Sequence, residues 1–276
     1  MKTHRQTRAA LILMAGALIA GGASAAERKA DPNTDLLLQQ MAEISERLEK
    51  NAEWLSEAGE RTRQIAEGEE VEALPEEDMT QAPLPPIEAP PGSDPVLIMT
   101  ARMTRYINRS IEITNRYQQS LTDLSVETLL NPVSYATQES ARKVPGRLTM
   151  AQHAYRRMVR EYREATRAFA AEMRSGDLPA EAIAGFNASF KDGRAIEEQI
   201  EMEGRVLIAM GEAAAFLLES KPEVQTDMFL FHSDEDIATY NGYAATLADL
   251  VEEQAALLRA NQAKITEASQ NIQRSR

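Results

Sequence analysis

TDLLLQQMAEISERLEKNAEWLSEAGERTRQI, residues 34–65, repeats at alternating steps of three and four: Thr34, Leu37, Met41, Ile44, Leu48, Asn51, Leu55, Ala58, Thr62, Ile65. Seven of these ten positions are apolar, so a helix through them carries one continuous apolar stripe that needs cover along its whole length. At about 1.5 Å per residue that helix is about 48 Å long. Asn51 falls on the stripe, where a polar side chain sets register or partner number at some cost in stability. Leu37, Met41, Ile44, Leu48, Asn51, Leu55 and Ile65 are therefore the candidate oligomerisation seam. Three outcomes fit the pattern: pairing with a second copy, docking on the rest of the chain or on another protein, or a marginal helix.

Beyond the stripe the chain changes character. Residues 67–95 form an acidic, proline-rich linker. Seven of the chain's 12 prolines lie between Pro75 and Pro95, and from Gln64 to Ala101 there are nine acidic residues and no basic one. Clustered prolines prefer the extended polyproline form. At about 3.1 Å per residue, residues 75–95 would reach about 65 Å, a spacer between two helical regions.

From residue 96 onward every signal is helical. Ser93-Asp94-Pro95 is a helix start, with a capping side chain followed by proline in the first turn. That helix ends near Asn131-Pro132, and its expected buried face is Met99, Met103, Tyr106, Ile113, Tyr117, Leu121 and Leu124. The next is expected from Leu148 to Met173, after a loop holding Pro145-Gly146. A short helix from Pro179 to Phe190 and a long one from Arg194 to Ser220 come next, then the apolar connector Met228 to Phe231. Ser233 caps a last helix that runs toward the C-terminus. The expected fold class is all-α: a coiled-coil-like amphipathic helix in 26–66, the linker in 67–95, and an antiparallel bundle of about four long helices in 96–276.

Residues 1–25 read as a signal peptide. Lys2, Arg5 and Arg8 precede an apolar run of 12 residues, Ala9 to Ala20, and Ala23 and Ala25 give the small-residue cut site. Export to a bacterial periplasm is expected. With no cysteine in the chain there is neither a disulfide nor a lipid attachment site. The expected mature chain has no transmembrane segment. Three basic and no acidic residues leave with the signal peptide, taking the net charge from −13 to −16. That balance argues against nucleic acid as a partner.

Chemistry is hard to find. Of three histidines, His4 lies in the signal peptide, and His153 and His232 stand in different elements without metal-ligand spacing. No nucleophile elbow, phosphate loop or dinucleotide fingerprint occurs. Glu197, Glu198, Glu201 and Glu203 crowd one helix and read as a solvated face. No catalytic, cofactor or metal site is expected, and no enzyme activity.

One feature opposes the acidic background. Arg142 to Arg174 holds nine basic and three acidic residues. At 100° per residue, Arg156, Arg160, Arg163, Arg167 and Arg174 fall within about 60° of one another, opposite Met150, Ala154, Met158, Tyr162, Ala165, Phe169 and Met173. Guanidinium forks suit carboxylates and phosphates. The stripe is solvated and relieved by pairs such as Arg157–Glu161 and Arg160–Glu164, or docks on an acidic part of the same chain, or holds an anionic partner. The functional expectation is a periplasmic interaction or scaffold protein whose partner is another envelope protein or itself. The alternative is a bundle that binds a small ligand in its interior.

Overall fold

The computed structural model describes residues 32–66, 81–190, 194–225 and 228–274. The signal segment 1–25 and part of the linker, 67–80, lie outside them, as does the Ile65 side chain. The chain is all-α: among the described residues six α-helices dominate and strand is almost absent. They are α1 (Pro32–Ala66), α2 (Pro95–Asp123), α3 (Gln138–Met173), α4 (Ala180–Phe190), α5 (Arg194–Ser220) and α6 (Asp234–Arg274). Two strands of three residues, β1 (Glu223–Gln225) and β2 (Met228–Leu230), pair antiparallel between α5 and α6. The long helices contact one another in the circular order α1, α2, α3, α5, α6 and back to α1.

The stripe on α1 is covered by the far end of the same chain. Met41, Ile44, Leu48, Leu55 and Ala58 are fully buried, Asn51 and Thr62 nearly so, and Leu37 partly. The cover is α6. Ser45 Oγ lies 3.5 Å from Thr266 Oγ1, Ser56 Oγ donates to Glu252 at 3.2 Å, and Arg63 pairs with Asp249 at 3.3 Å. Partner numbers fall as α1 rises, so the two helices run antiparallel. A Cβ on Gly59 would sit 3.3 Å from the Ala248 carbonyl, so the backbones come close where the seam ends.

Residues 81–87 do not stand off as a spacer. Gln81 and Ile87 are half-buried, Leu84 is buried, and the residues between are exposed: the three-residue period of a polyproline chain laid on a surface. Two asparagines of α2 hold the backbone. Leu84 N–H donates to Asn108 Oδ1 at 2.7 Å, and Asn108 Nδ2 donates to the Leu84 carbonyl at 2.9 Å. Asn115 does the same to Gln81, at 3.1 and 2.9 Å. Three extended residues span about 9 Å and seven helical residues about 10 Å, so the two clamps match in pitch. Arg47 of α1 adds a bond to the Ala82 carbonyl at 2.8 Å.

The strap turns at Gly92 (φ 85°), and the Asp94 carboxylate accepts from Val96 N–H at 2.8 Å to start α2 at Pro95. That helix buries Met99, Met103, Tyr106, Ile113, Tyr117 and Leu121 as expected, with Leu124 partly buried beyond its end. α3 departs from expectation by starting ten residues early, at Gln138, and running through Pro145. Thr137 and Ser140 form a capping box that fixes the first turn. Arg147 anchors the next turns to the preceding loop: Nε donates to the Leu124 carbonyl at 2.6 Å, and the guanidinium also bonds the Ser125 carbonyl and Thr128 Oγ1. Those bonds and the full burial of Val144 offset the amide proton that proline lacks. Met150, expected inside, is 55% exposed.

Leu84→Ala should lower the unfolding free energy by about 2–5 kcal/mol, whereas Pro85→Ala, at an exposed position, should change it little. Urea titration of both variants distinguishes a docked strap from a free spacer, which would leave both neutral.

Candidate functional site

The arginine stripe lies on the outer face of α3. Its core face, carrying Ala154, Met158, Tyr162, Phe169 and Met173, is buried, and this turns Arg156, Arg160, Arg163, Arg167 and Arg174 outward, where all five are exposed. Two bonds to α2 set the roll of the helix: Tyr162 Oη sits 2.6 Å from Thr114 Oγ1, and Tyr106 Oη sits 3.0 Å from Thr166 Oγ1. Tyr106 also stacks on Phe169 with centroids 4.6 Å apart, and burial pushes its hydroxyl pKa up to about 12.

Four of the five arginines border a groove of about 470 Å³ between α3 and α5. Arg156, Arg160, Arg163 and Arg167 form one wall, Tyr155, Val159 and Ile200 the floor, and Glu164 and Glu201 part of the rim. Tyr155 is fixed by donating to the Ile200 carbonyl at 2.9 Å. It fits because residue 204 is glycine: a Cβ there would lie 2.6 Å from the Tyr155 oxygen. Gly204 thus admits a neighbouring helix, while at Gly211 nothing among the described residues comes close to a Cβ position.

The arginines are not equivalent. Arg163 grips Glu197 of α5 with both ends of its fork, at 3.1 and 2.7 Å. This hydrogen bond holds the Glu197 carboxyl below its ordinary range, with Arg167 adding at longer reach. Arg174 stands apart and donates to Asn187 Oδ1 of α4 at 2.9 Å. Arg156 and Arg160 make no ion pair among the described residues. The expected Arg157–Glu161 and Arg160–Glu164 pairs do not form. Glu161 is taken by Arg116 of α2 at 2.7 Å, a pair across helices rather than along one. The acidic cluster on α5 thus engages the stripe at one point, Arg163–Glu197, and leaves the rest of the groove open.

One member of that cluster is not on the surface. Glu203 is 2% exposed, in the middle of the bundle. Tyr117 Oη of α2 donates to its Oε1 at 2.6 Å, and Gln254 of α6 also bonds to it. Among the described residues its Oε2 has no hydrogen-bond partner. Burial raises its pKa to about 7, and the two hydrogen bonds only partly oppose this. The signal for it was present in the sequence. Ile200, Glu203, Leu207, Met210, Ala214 and Leu217 follow one three-four stripe, so Glu203 occupies a core position, and all six are buried. No group of three or more metal-ligating residues occurs among the described residues, and no described helix is long and apolar enough to cross a membrane.

No protein-family model, no curated protein and no solved structure matches this chain. The site's own chemistry is an arginine wall over a shallow apolar floor, with no cluster of three or more metal-ligating residues among the described residues.

Glu203 makes folding pH-dependent. Its native pKa, about 7, lies above the ordinary 4.5, so between those values the native state holds more proton than the unfolded chain. Stability therefore falls as pH rises through this window and levels off above it. Glu203→Gln keeps an acceptor for Tyr117 and removes the charge. It should stabilise the protein by about 2–3 kcal/mol more at pH 8 than at pH 5. Parallel urea-unfolding profiles for the two proteins across that range would show that Glu203 titrates normally.

Proposed function

We propose that this chain is a non-enzymatic interaction protein of the bacterial envelope, exported through its N-terminal segment, and that the α3–α5 groove is its partner-binding surface. The observation that carries the reading is the state of the arginines. In a chain of net charge −13, Arg156 and Arg160 stand exposed, side by side, with no carboxylate of their own among the described residues. Other arginines of the protein do reach carboxylates on other elements: Arg102 pairs with Asp177, Arg105 with Glu172, Arg116 with Glu161 and Arg205 with Glu253. An unsettled row on a shaped groove is what an acidic protein surface would complete, and guanidinium is the group suited to it.

The partner class is an acidic helix. The four groove arginines are spaced four, three and four residues apart and rise about 16 Å along α3, the pitch of carboxylates on one stripe of a second helix. The floor of Val159 and Ile200 takes the apolar flank of such a helix. Exposed ion pairs contribute only about 0–1 kcal/mol each, so the contact is selective and reversible rather than tight. In this reading the strap and α1 are part of the body that presents the groove. The groove lies on the outer face, and this favours an interaction surface over an interior ligand site.

A fluorescein-labelled helical peptide with glutamates at four-three-four spacing should bind the protein, measured by anisotropy. Arg156→Glu combined with Arg160→Glu should weaken it at least about tenfold, a loss of about 1.4 kcal/mol. Equal binding by both proteins would sink the proposal.

A further inference from the structure

The outer face of α1 carries the complement of the groove. Opposite the buried seam, Glu46, Glu49, Glu53, Glu57 and Glu60 fall within about 80° of one another at 100° per residue, and all five are exposed. Glu57 and Glu60 are held by Arg61 and Arg63 on the same helix, at 2.7 and 3.0 Å. Glu46, Glu49 and Glu53 make no ion pair among the described residues. With the exposed Ala42 before them, these positions repeat the four-three-four spacing of Arg156, Arg160, Arg163 and Arg167. That spacing reads the same in both directions, so either helix orientation sets three carboxylates against three arginines, with small Ala42 at the fourth place.

We infer that the acidic helix received by the arginine groove is α1 of a second copy of this protein. The inference rests on the partner class proposed above and names its member. Charge complementarity and matched pitch select this face, and α1 is already held rigid by its burial on α6. The same copy cannot supply it. α1 packs on α2 and α6, whereas the groove lies between α3 and α5. Donor and acceptor are thus different surfaces of one molecule, a heterologous contact that repeats head to tail and yields rings or open chains rather than a closed pair. The apolar seam takes no part, because α6 covers it.

Sedimentation velocity of the purified protein over rising concentration tests the inference. At about 0.15 M salt the weight-average mass should climb past twice the monomer. At about 1 M salt, where screening reaches within about 3 Å, it should return to monomer. Replacing Arg156, Arg160 and Arg167 with Glu should hold the protein monomeric, and so should replacing Glu46, Glu49 and Glu53 with Arg. An equimolar mixture of the two variants should assemble again, because each offers the face that the other lacks. A wild-type protein that stays monomeric, or arginine variants that assemble as the wild type does, would overturn the inference. If the wild type stays monomeric yet binds the labelled peptide, the groove reading stands and its partner is another protein. If it does neither, both readings fall.

Discussion

The pairing of α1 with α6 is the contact on which the rest of the structure depends. It joins the first described helix to the last and closes the circle of five long helices. Met41, Ile44, Leu48 and Leu55 have no exposed surface, and Leu258 and Ile265 on α6 have none either. Such burial is worth roughly 1.5–3 kcal/mol per large aliphatic side chain, far more than the polar contacts along the same seam. The contacts also join residues about 200 positions apart, as between Ser56 and Glu252, so this seam is reached only by closing nearly the whole chain.

That closure explains the strap. With α1 on α6 and beside α2, the described part of the connection, residues 81–94, leads to the start of α2, and residues 81–87 cross the face of α2 itself. Prolines lower the entropy that an extended segment loses on docking, and they remove amide protons that would otherwise need partners. Gln81 and Leu84 keep both backbone groups turned to α2, and each meets an asparagine. The proline content thus selects a conformation that two asparagines seven residues apart can read.

Charge is sorted by depth. Cross-helix pairs such as Arg116–Glu161 and Arg205–Glu253 tie neighbouring helices at the surface. Arg102, nearly buried, is used differently: it donates to the Glu172 carbonyl at 2.6 Å, in the last turn of α3, where a cation suits the helix end. Glu203 sits deeper still, at the cost of its charge near neutral pH. The groove arginines lie at the other extreme of depth, exposed, with Arg156 and Arg160 making no ion pair among the described residues.

The sequence by itself determined the helices, because periodic burial and capping are local: the α1 stripe, the cap at Asp94, the core face of α2 and the arginine face of α3 were all legible in it. It also contained Glu203 at a core position, hidden by a run of glutamates that read as a surface. Tertiary structure alone decided which helix covers the α1 stripe, since an apolar seam is indifferent to whether its cover comes from the same chain or another. It also decided that Pro145 stays inside a helix, because the bonds made by Arg147 come from a loop some 20 residues away. And it decided which arginines are spent: Arg163 meets Glu197 and Arg174 meets Asn187 only once α3, α4 and α5 are packed, and that packing leaves Arg156 and Arg160 without an ion pair among the described residues.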